Sequence, residues 1–301
     1  MRAVLLSPVL PRGSRYKYVE MFSRVCTLCD SDPDFAIVFG DGSTAYLEAI
    51  RAGLPYVLVE HDVASARGNR TDEREMVERA SGILVNSEDT LAYLDARYRL
   101  PEAHVVHLRP LARDLDFEPL PKLSGRNIVY AGGIVTNTQA RGNFGYRAYA
   151  SEVFPALIAA GWTVHVYPAR TSPRKVADYR AIGCVIHDPV PQSGLYREMS
   201  QYQLGFQGYA TTGPQSYIAL ARPNKLYESL GAGIPTLGFN PGGGGGVYDG
   251  RWGLVCPSLE LIGEYAERAA AMVIDDDLRA SQVMDEDLEV FRCLVASAVS
   301  T

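Results

Sequence analysis

The chain has 301 residues, 47% of them hydrophobic and 21% charged, with a net charge of −6. That length holds two domains of ordinary size, and the composition is that of a soluble globular protein. The acidic balance argues against the usual basic nucleic-acid surface, and no apolar run reaches the length of a membrane span.

Ala3–Leu6 is the first predicted strand, not a signal peptide. The loop after it carries Arg12, Gly13, Arg15 and Lys17. It is either a phosphate-neutralising loop or a solvated one. A helix is expected from about Tyr16 to Cys29, with Cys26 and Cys29 as structural thiols on it. The five cysteines form an odd, scattered set that fits a reducing compartment. A cytoplasmic location is expected, with peripheral attachment to a membrane as the alternative.

Phe35–Phe39 reads as the next strand. Gly40-Asp41-Gly42-Ser43-Thr44-Ala45 after it fits G-x-G-x-x-A, and Glu60 ends the following strand about 20 residues on. This dinucleotide pattern makes an NAD-dependent oxidoreductase a rival reading. The strand Tyr56–Val59 runs into Glu60-His61-Asp62, and parallel sheets bind ligands at such carboxyl ends. His61, with Asp62, is therefore the candidate catalytic group; a satisfied core histidine is the other reading. Helices Glu73–Ala80 and Glu88–Tyr98 and strands Gly82–Val85 and Val105–Leu108 follow. Residues 109–126, punctuated by Pro110, Pro119 and Pro121, read as a linker.

The alternation then restarts. A strand at Asn127–Ala131 ends in Gly132-Gly133, and a polar loop at 134–147 contains Arg141. Arginine grips phosphate bidentately, so Arg141 is a candidate diphosphate partner. Helices are expected at Tyr149–Ala160, Lys175–Ile182 and Leu195–Tyr202, and strands at Thr163–Tyr167, Val185–Ile186 and Leu204–Gln207. Tyr209, Thr211 and Thr212 follow the last of these as candidate pocket residues. From Arg222 the chain reads as loop, helix, turn, strand and glycine run. Asn224 suits an N-cap, and Lys225 adds a charge to the first turn, where unpaired amides favour a phosphate. Glu228, one turn on, is a carboxylate suited to ribose hydroxyls. Gly243 and Gly244, within the five-glycine run, permit close backbone approach to a ligand. Helices Leu259–Val273 and Leu278–Val295 are expected to close the chain.

The fold class is therefore α/β, with two Rossmann-like domains facing a central cleft. Residues 1–121 are expected to form a short N-terminal domain, and residues 122–283 a second domain. Residues 284–301 form a C-terminal helix, with a return to the first domain as one option.

Several stretches resemble the GT-B glycosyltransferases of glycosyltransferase family 4 and its relatives. They are ERASGILVNSEDTLAYL, VVHLRPLARDLDFEP, RNIVYAGGI and, most specifically, RPNKLYESLGAGIPTLGF followed by GGGGGVYDGRWGLVCPS. The resemblance spans about residues 35–275. It implies that residues 122–283 are the nucleotide-sugar-binding domain, UDP-sugar favoured, and that residues 1–121, with Arg12, Gly13 and Arg15 in the first loop, are the acceptor side. Glu228 matches the second carboxylate of the family's E-x7-E motif, and Leu220 stands where the first would be. Lys225 matches a lysine that meets the diphosphate in some relatives, and His61 a histidine that faces the donor sugar. The expected activity is a hexosyltransferase acting on an acceptor hydroxyl. Leu220 keeps a second alternative open, a catalytically inactive sugar-nucleotide-binding subunit. No cofactor or metal is expected, because no His/Cys cluster has ligand spacing. The acceptor classes implied are a saccharide, a lipid-linked saccharide or a small molecule, with a modified DNA base as a further option.

Overall fold

The computed structural model describes residues 1–6, 16–40, 45–60, 63, 65–67, 72–106, 116–135, 147–168, 173–211, 215–221, 224–242, 250–282 and 287–300. For 16–18, 192, 215–217 and 224 it describes the main chain only. The chain forms two compact units, Met1–Arg113 with Gln282–Thr301, and Asp114–Ser281.

The first unit is built on six parallel strands, β1 (Arg2–Leu6), β2 (Thr27–Leu28), β3 (Phe35–Gly40), β4 (Tyr56–Glu60), β5 (Gly82–Val85) and β6 (His104–Val106). Their order is β2-β1-β3-β4-β5-β6. Every residue of β3 and β4 is buried, so these strands read as unbroken apolar runs rather than alternating ones. That is the pattern of a sheet covered on both faces. The covering helices are α1 (Tyr16–Val25), α2 (Ala45–Arg51), α3 (Glu73–Glu78) and α4 (Glu88–Asp95). Ser87 caps α4 by accepting the Thr90 amide at 3.1 Å, as its place before an acidic first turn predicts.

The second unit repeats the scheme with β7 (Asn127–Gly132), β8 (Thr163–Pro168), β9 (Val185–Ile186), β10 (Leu204–Gly208), β11 (Thr236–Phe239) and β12 (Gly253–Cys256). All are parallel, in the order β12-β11-β10-β7-β8-β9. The helices are α5 (Val153–Ala159), α6 (Pro173–Ala181), α7 (Gln192–Met199), α8 (Gln215–Leu220), α9 (Asn224–Gly231), α10 (Ile262–Ala270) and α11 (Asp276–Ala280). Tyr130, Tyr149, Phe154 and Phe206 form an aromatic core under β7 and β10, with ring centroids 4.9–6.2 Å apart. The docking of α9 is set by Gly205 of β10. A side chain there would collide with Ser229, so its absence lets α9 lie directly on the strand.

Three expectations change. The helix expected over Tyr16–Cys29 ends at Val25, and Thr27–Leu28 becomes an edge strand paired with β1. Cys26 and Cys29 therefore flank a strand and do not share a helix face. Burial pushes the Cys26 thiol up to about 11, which leaves it inert. The helix expected from Tyr149 opens with a 3-10 turn, and only Val153–Ala159 is α-helical. The single helix expected over Leu278–Val295 is two, α11 in the second unit and α12 (Leu288–Ser300) in the first. Leu278 is buried in one unit, whereas Phe291, Leu294, Val295 and Ala298 join the core of the other. One rigid helix cannot deliver side chains to two cores.

Candidate functional site

Strand order locates the site. In the second unit β7 lies centrally, with β8 and β9 on one side and β10 to β12 on the other. The direction of winding reverses between β7 and β10, and open α/β sheets bind ligands outside the carboxyl ends of the strands at such a point. β7 and β10 pair at Leu204↔Ile128 and Gly205↔Val129. On the other side β7 and β8 stay in register as far as Gly132↔Pro168. The strands thus part toward Gly132 on one side and Gly208 on the other.

Two cations reach the β7 side of this gap. Gly132 has φ 151°, and a side chain on it would collide with the Lys225 stem and lie 3.0 Å from the ammonium nitrogen. A side chain on Gly133 would lie 2.9 Å from Nη1 of Arg147. The glycine pair therefore lets both cations rest against bare backbone. Lys225 sits in the first turn of α9, with its ammonium 5.5 Å from the centre of the Tyr130 ring. The helix start adds a partial positive charge to these two full ones. Glu228, part-exposed and one turn further along α9, lies on the Lys225 side of the helix. This combination of fixed cations, helix dipole and neighbouring carboxylate suits a phosphate attached to a polyol.

On the β10 side, the Tyr209 amide donates to the Phe239 carbonyl at 3.0 Å, and the Tyr209 side chain is 6% exposed. Thr211 is clamped by Glu152, which accepts its amide at 2.5 Å and its hydroxyl at 2.8 Å. The structure thus brings Gly132, Gly133, Lys225, Glu228 and Tyr209 to one end of one sheet. Asn224 begins α9, with only its main chain described. His61, Asp62, Arg12, Gly13, Arg15, Lys17, Arg141, Thr212, Gly243 and Gly244 lie outside the described residues.

Sequence reasoning misses Arg147 and Glu152. Arg147 ends the polar loop in which Arg141 stands out, and nothing in residue type separates the two. Glu152 sits inside what reads as one continuous helix. Its role comes from the break between the 3-10 turn and α5.

The dinucleotide reading of the first unit is not favoured. Its ribose-binding acid would be Glu60, yet that side chain is 1% exposed and its carboxylate packs on Gly40 of the adjoining strand. Asp-x-Asp pairs, which hold metals in some transferases' sites, do occur at Asp30/Asp32, Asp32/Asp34, Asp114/Asp116, Asp275/Asp277 and Asp285/Asp287. Asp34 is spent at the amino end of the first sheet, accepting the Arg2 amide at 2.7 Å. Asp275 caps α11, accepting the Asp277 amide at 2.9 Å. Among the described residues no three His, Cys, Asp or Glu side chains converge as metal ligands, and no helix is long and apolar enough to cross a membrane.

No family model matches the sequence, and no curated protein matches it. Solved structures do match it over nearly the whole chain. HepE of Anabaena in complex with UDP-glucose superposes with a TM-score of 0.65 at 13% identity, covering 100% of both chains. AviGT4, a glycosyltransferase involved in avilamycin A biosynthesis, gives 0.62 at 12%, covering 99% of this chain and 96% of its own. An α-glucosyltransferase in complex with UDP and a 13-mer DNA containing an HMU base gives 0.53 at 14%, covering 99% and 95%. The two six-stranded parallel units are those of the GT-B glycosyltransferase fold.

Proposed function

We propose that this protein is a glycosyltransferase that moves a sugar from a nucleotide-sugar donor, UDP-sugar favoured, to an acceptor hydroxyl. The observation that carries the proposal is the convergence of Lys225 and Arg147 on Gly132-Gly133 at the switch point of the second unit. HepE and the α-glucosyltransferase, solved with UDP-glucose or UDP, support the choice of donor. In the reaction the acceptor oxygen bonds to the anomeric carbon, and the bond from that carbon to the diphosphate oxygen breaks. The diphosphate leaves with the electron pair, and the acceptor's proton passes to a base or to the leaving group. Charge grows on the diphosphate as the bond breaks, so cations already in place stabilise the transition state more than the ground state. Lys225 and Arg147 take that role without a metal ion. Glu228 accepts from the ribose, and His61 positions the donor sugar. The acceptor is a saccharide, a lipid-linked saccharide, a small molecule or a modified DNA base.

Calorimetric titration with UDP, GDP, ADP and NAD tests this reading. Binding of a nucleoside diphosphate, UDP first, is expected, with turnover that survives EDTA. Tight NAD binding with no diphosphate affinity would overturn it. Leu220 favours one second reading, a sugar-nucleotide-binding subunit without activity. Such a subunit would bind UDP-sugar and neither transfer nor hydrolyse it.

A further inference from the structure

The gap between β7 and β10 is bridged by two buried tyrosines. The Tyr130 hydroxyl donates to the Gly133 carbonyl at 2.8 Å, just past the end of β7. The Tyr149 hydroxyl donates to the Gly208 carbonyl at 3.0 Å, at the end of β10. Each hydroxyl has one proton, and each spends it on a backbone carbonyl at the carboxyl end of one of the two strands. The two oxygens lie 3.4 Å apart, and the rings pack at 4.9 Å between centroids. Both side chains are 0–1% exposed, and burial holds the Tyr130 hydroxyl well above its usual pKa, so it remains a donor. The face of the Tyr130 ring also lies beneath the Lys225 ammonium.

We infer that Tyr130 and Tyr149 are positioning residues for the diphosphate, a bracket that ties the Gly132-Gly133 and Gly208-Tyr209 strand ends to one another, where β7 and β10 are paired outward to β8 and β11 but no longer to each other. Tyr130 has two parts in this. Its hydroxyl holds the Gly133 turn, and its ring seats Lys225. The assignment rests on the diphosphate reading of this crevice and names what makes its geometry rigid. Pairing to β8 and β11 holds each end from outside, but it does not link the two ends across the crevice, because β7 and β10 separate at the switch point. A hydroxyl from inside the core costs little to hold in place, since its ring is already fixed by packing.

Tyr130→Phe and Tyr149→Phe keep the rings and remove the hydroxyls, and Tyr130→Leu removes the ring as well. Amide hydrogen exchange in the free protein reads the bracket without any ligand. The Phe variants are expected to exchange faster in residues 131–135 and 207–211, with β8 and β11 unchanged. UDP affinity is expected to fall about 3- to 10-fold while uridine affinity stays the same. Tyr130→Leu is expected to lose more UDP affinity than Tyr130→Phe and to show a weaker salt dependence of binding, because Lys225 is no longer held. Unchanged exchange in both folded Phe variants overturns the bracket. Equal losses for UDP and uridine overturn the positioning role and leave the tyrosines as core residues. If Tyr130→Phe does not fold, Tyr149→Phe carries the same test from the other strand. A wild-type protein without UDP affinity overturns the functional reading instead, and the exchange rates still judge the bracket.

Discussion

In the proposed reading Lys225 and Arg147 act on the same anion from different supports. Lys225 comes from a helix start seated over an aromatic ring, and Arg147 from the end of a loop. A hydrogen bond to a charged group contributes about 1.5–3 kcal/mol, so Lys225→Ala or Arg147→Ala should each weaken UDP binding roughly 10- to 100-fold. Uridine, which lacks the phosphates, should bind both variants as it binds the wild type. Calorimetry with the two ligands checks this, and parallel losses would remove the residue concerned from the phosphate. Lys225 is legible in the sequence because a Pro-Asn-Lys start followed by an apolar helix face fixes its place in a first turn. Arg147 is not, because a loop without periodicity gives no way to tell which of its arginines turns inward. Leu220 shows the converse. It ends α8, a helix outside the elements expected from the sequence, yet its departure from the family's E-x7-E spacing is visible in the residue order alone.

At the scale of elements, the alternation of strand and helix is largely readable; apart from the unexpected α8 and the split of the last helix into α11 and α12, the errors fall at element ends. Thr27–Leu28 continues an apolar helical pattern by residue type, and only pairing with β1 makes it a strand. Side-chain networks between elements are not readable at all. His165 on β8 is the clearest example. The Asn127 amide nitrogen donates to the Ser124 carbonyl at 2.9 Å, so its oxygen faces His165 Nε2 at 3.0 Å and fixes a proton there. His165 Nδ1 must then accept from His187 Nε2, 2.9 Å away. Protonating His165 would demand a change of tautomer in His187, in a site also packed by Tyr167 and Tyr202. Burial, with His187 as the second cause, lowers His165 from its ordinary 6.5 to about 4. Burial also lowers His187, against the opposing pull of Glu198 and Asp188. The unfolded chain therefore binds more protons than the folded one between about pH 4 and 6.5. The stabilisation is complete above pH 6.5 and is lost as the pH falls through that window. Thermal unfolding of the second unit should drop in temperature from pH 6.5 to 4.5, and His165→Gln should flatten the dependence. A variant as acid-sensitive as the wild type would place the effect elsewhere.

At the scale of the whole molecule, the restart of the pattern at Asn127 makes two units legible. What the sequence cannot say is where the last helix goes. Phe291, Leu294, Val295 and Ala298 mark a buried stripe at helical spacing, but a stripe does not name its partner. The structure packs it into the core of the first unit with Met21, Phe22, Phe35 and Leu84, and the rings of Phe22 and Phe291 lie 6.4 Å apart. The first unit is therefore completed by residues that follow the second unit along the chain. Until α12 is made, Phe22 and its neighbours lack part of the apolar cover that the finished core gives them. Among the described residues, the core of the second unit is drawn from within Asp114–Ser281. Phe291→Ala removes a fully buried ring, a change that costs about 3–5 kcal/mol in well-packed cores. The loss should appear as faster amide exchange in β3 and β5, hundreds of residues away in sequence, and not in β8 or β11, which α12 follows more closely along the chain. UDP should protect the opposite set, slowing exchange near Gly132 and Lys225 and leaving β3 and β5 as they were. Faster exchange in β8 and β11 on Phe291→Ala would mean that α12 stabilises the second unit, and the division of the chain drawn from its cores would be wrong.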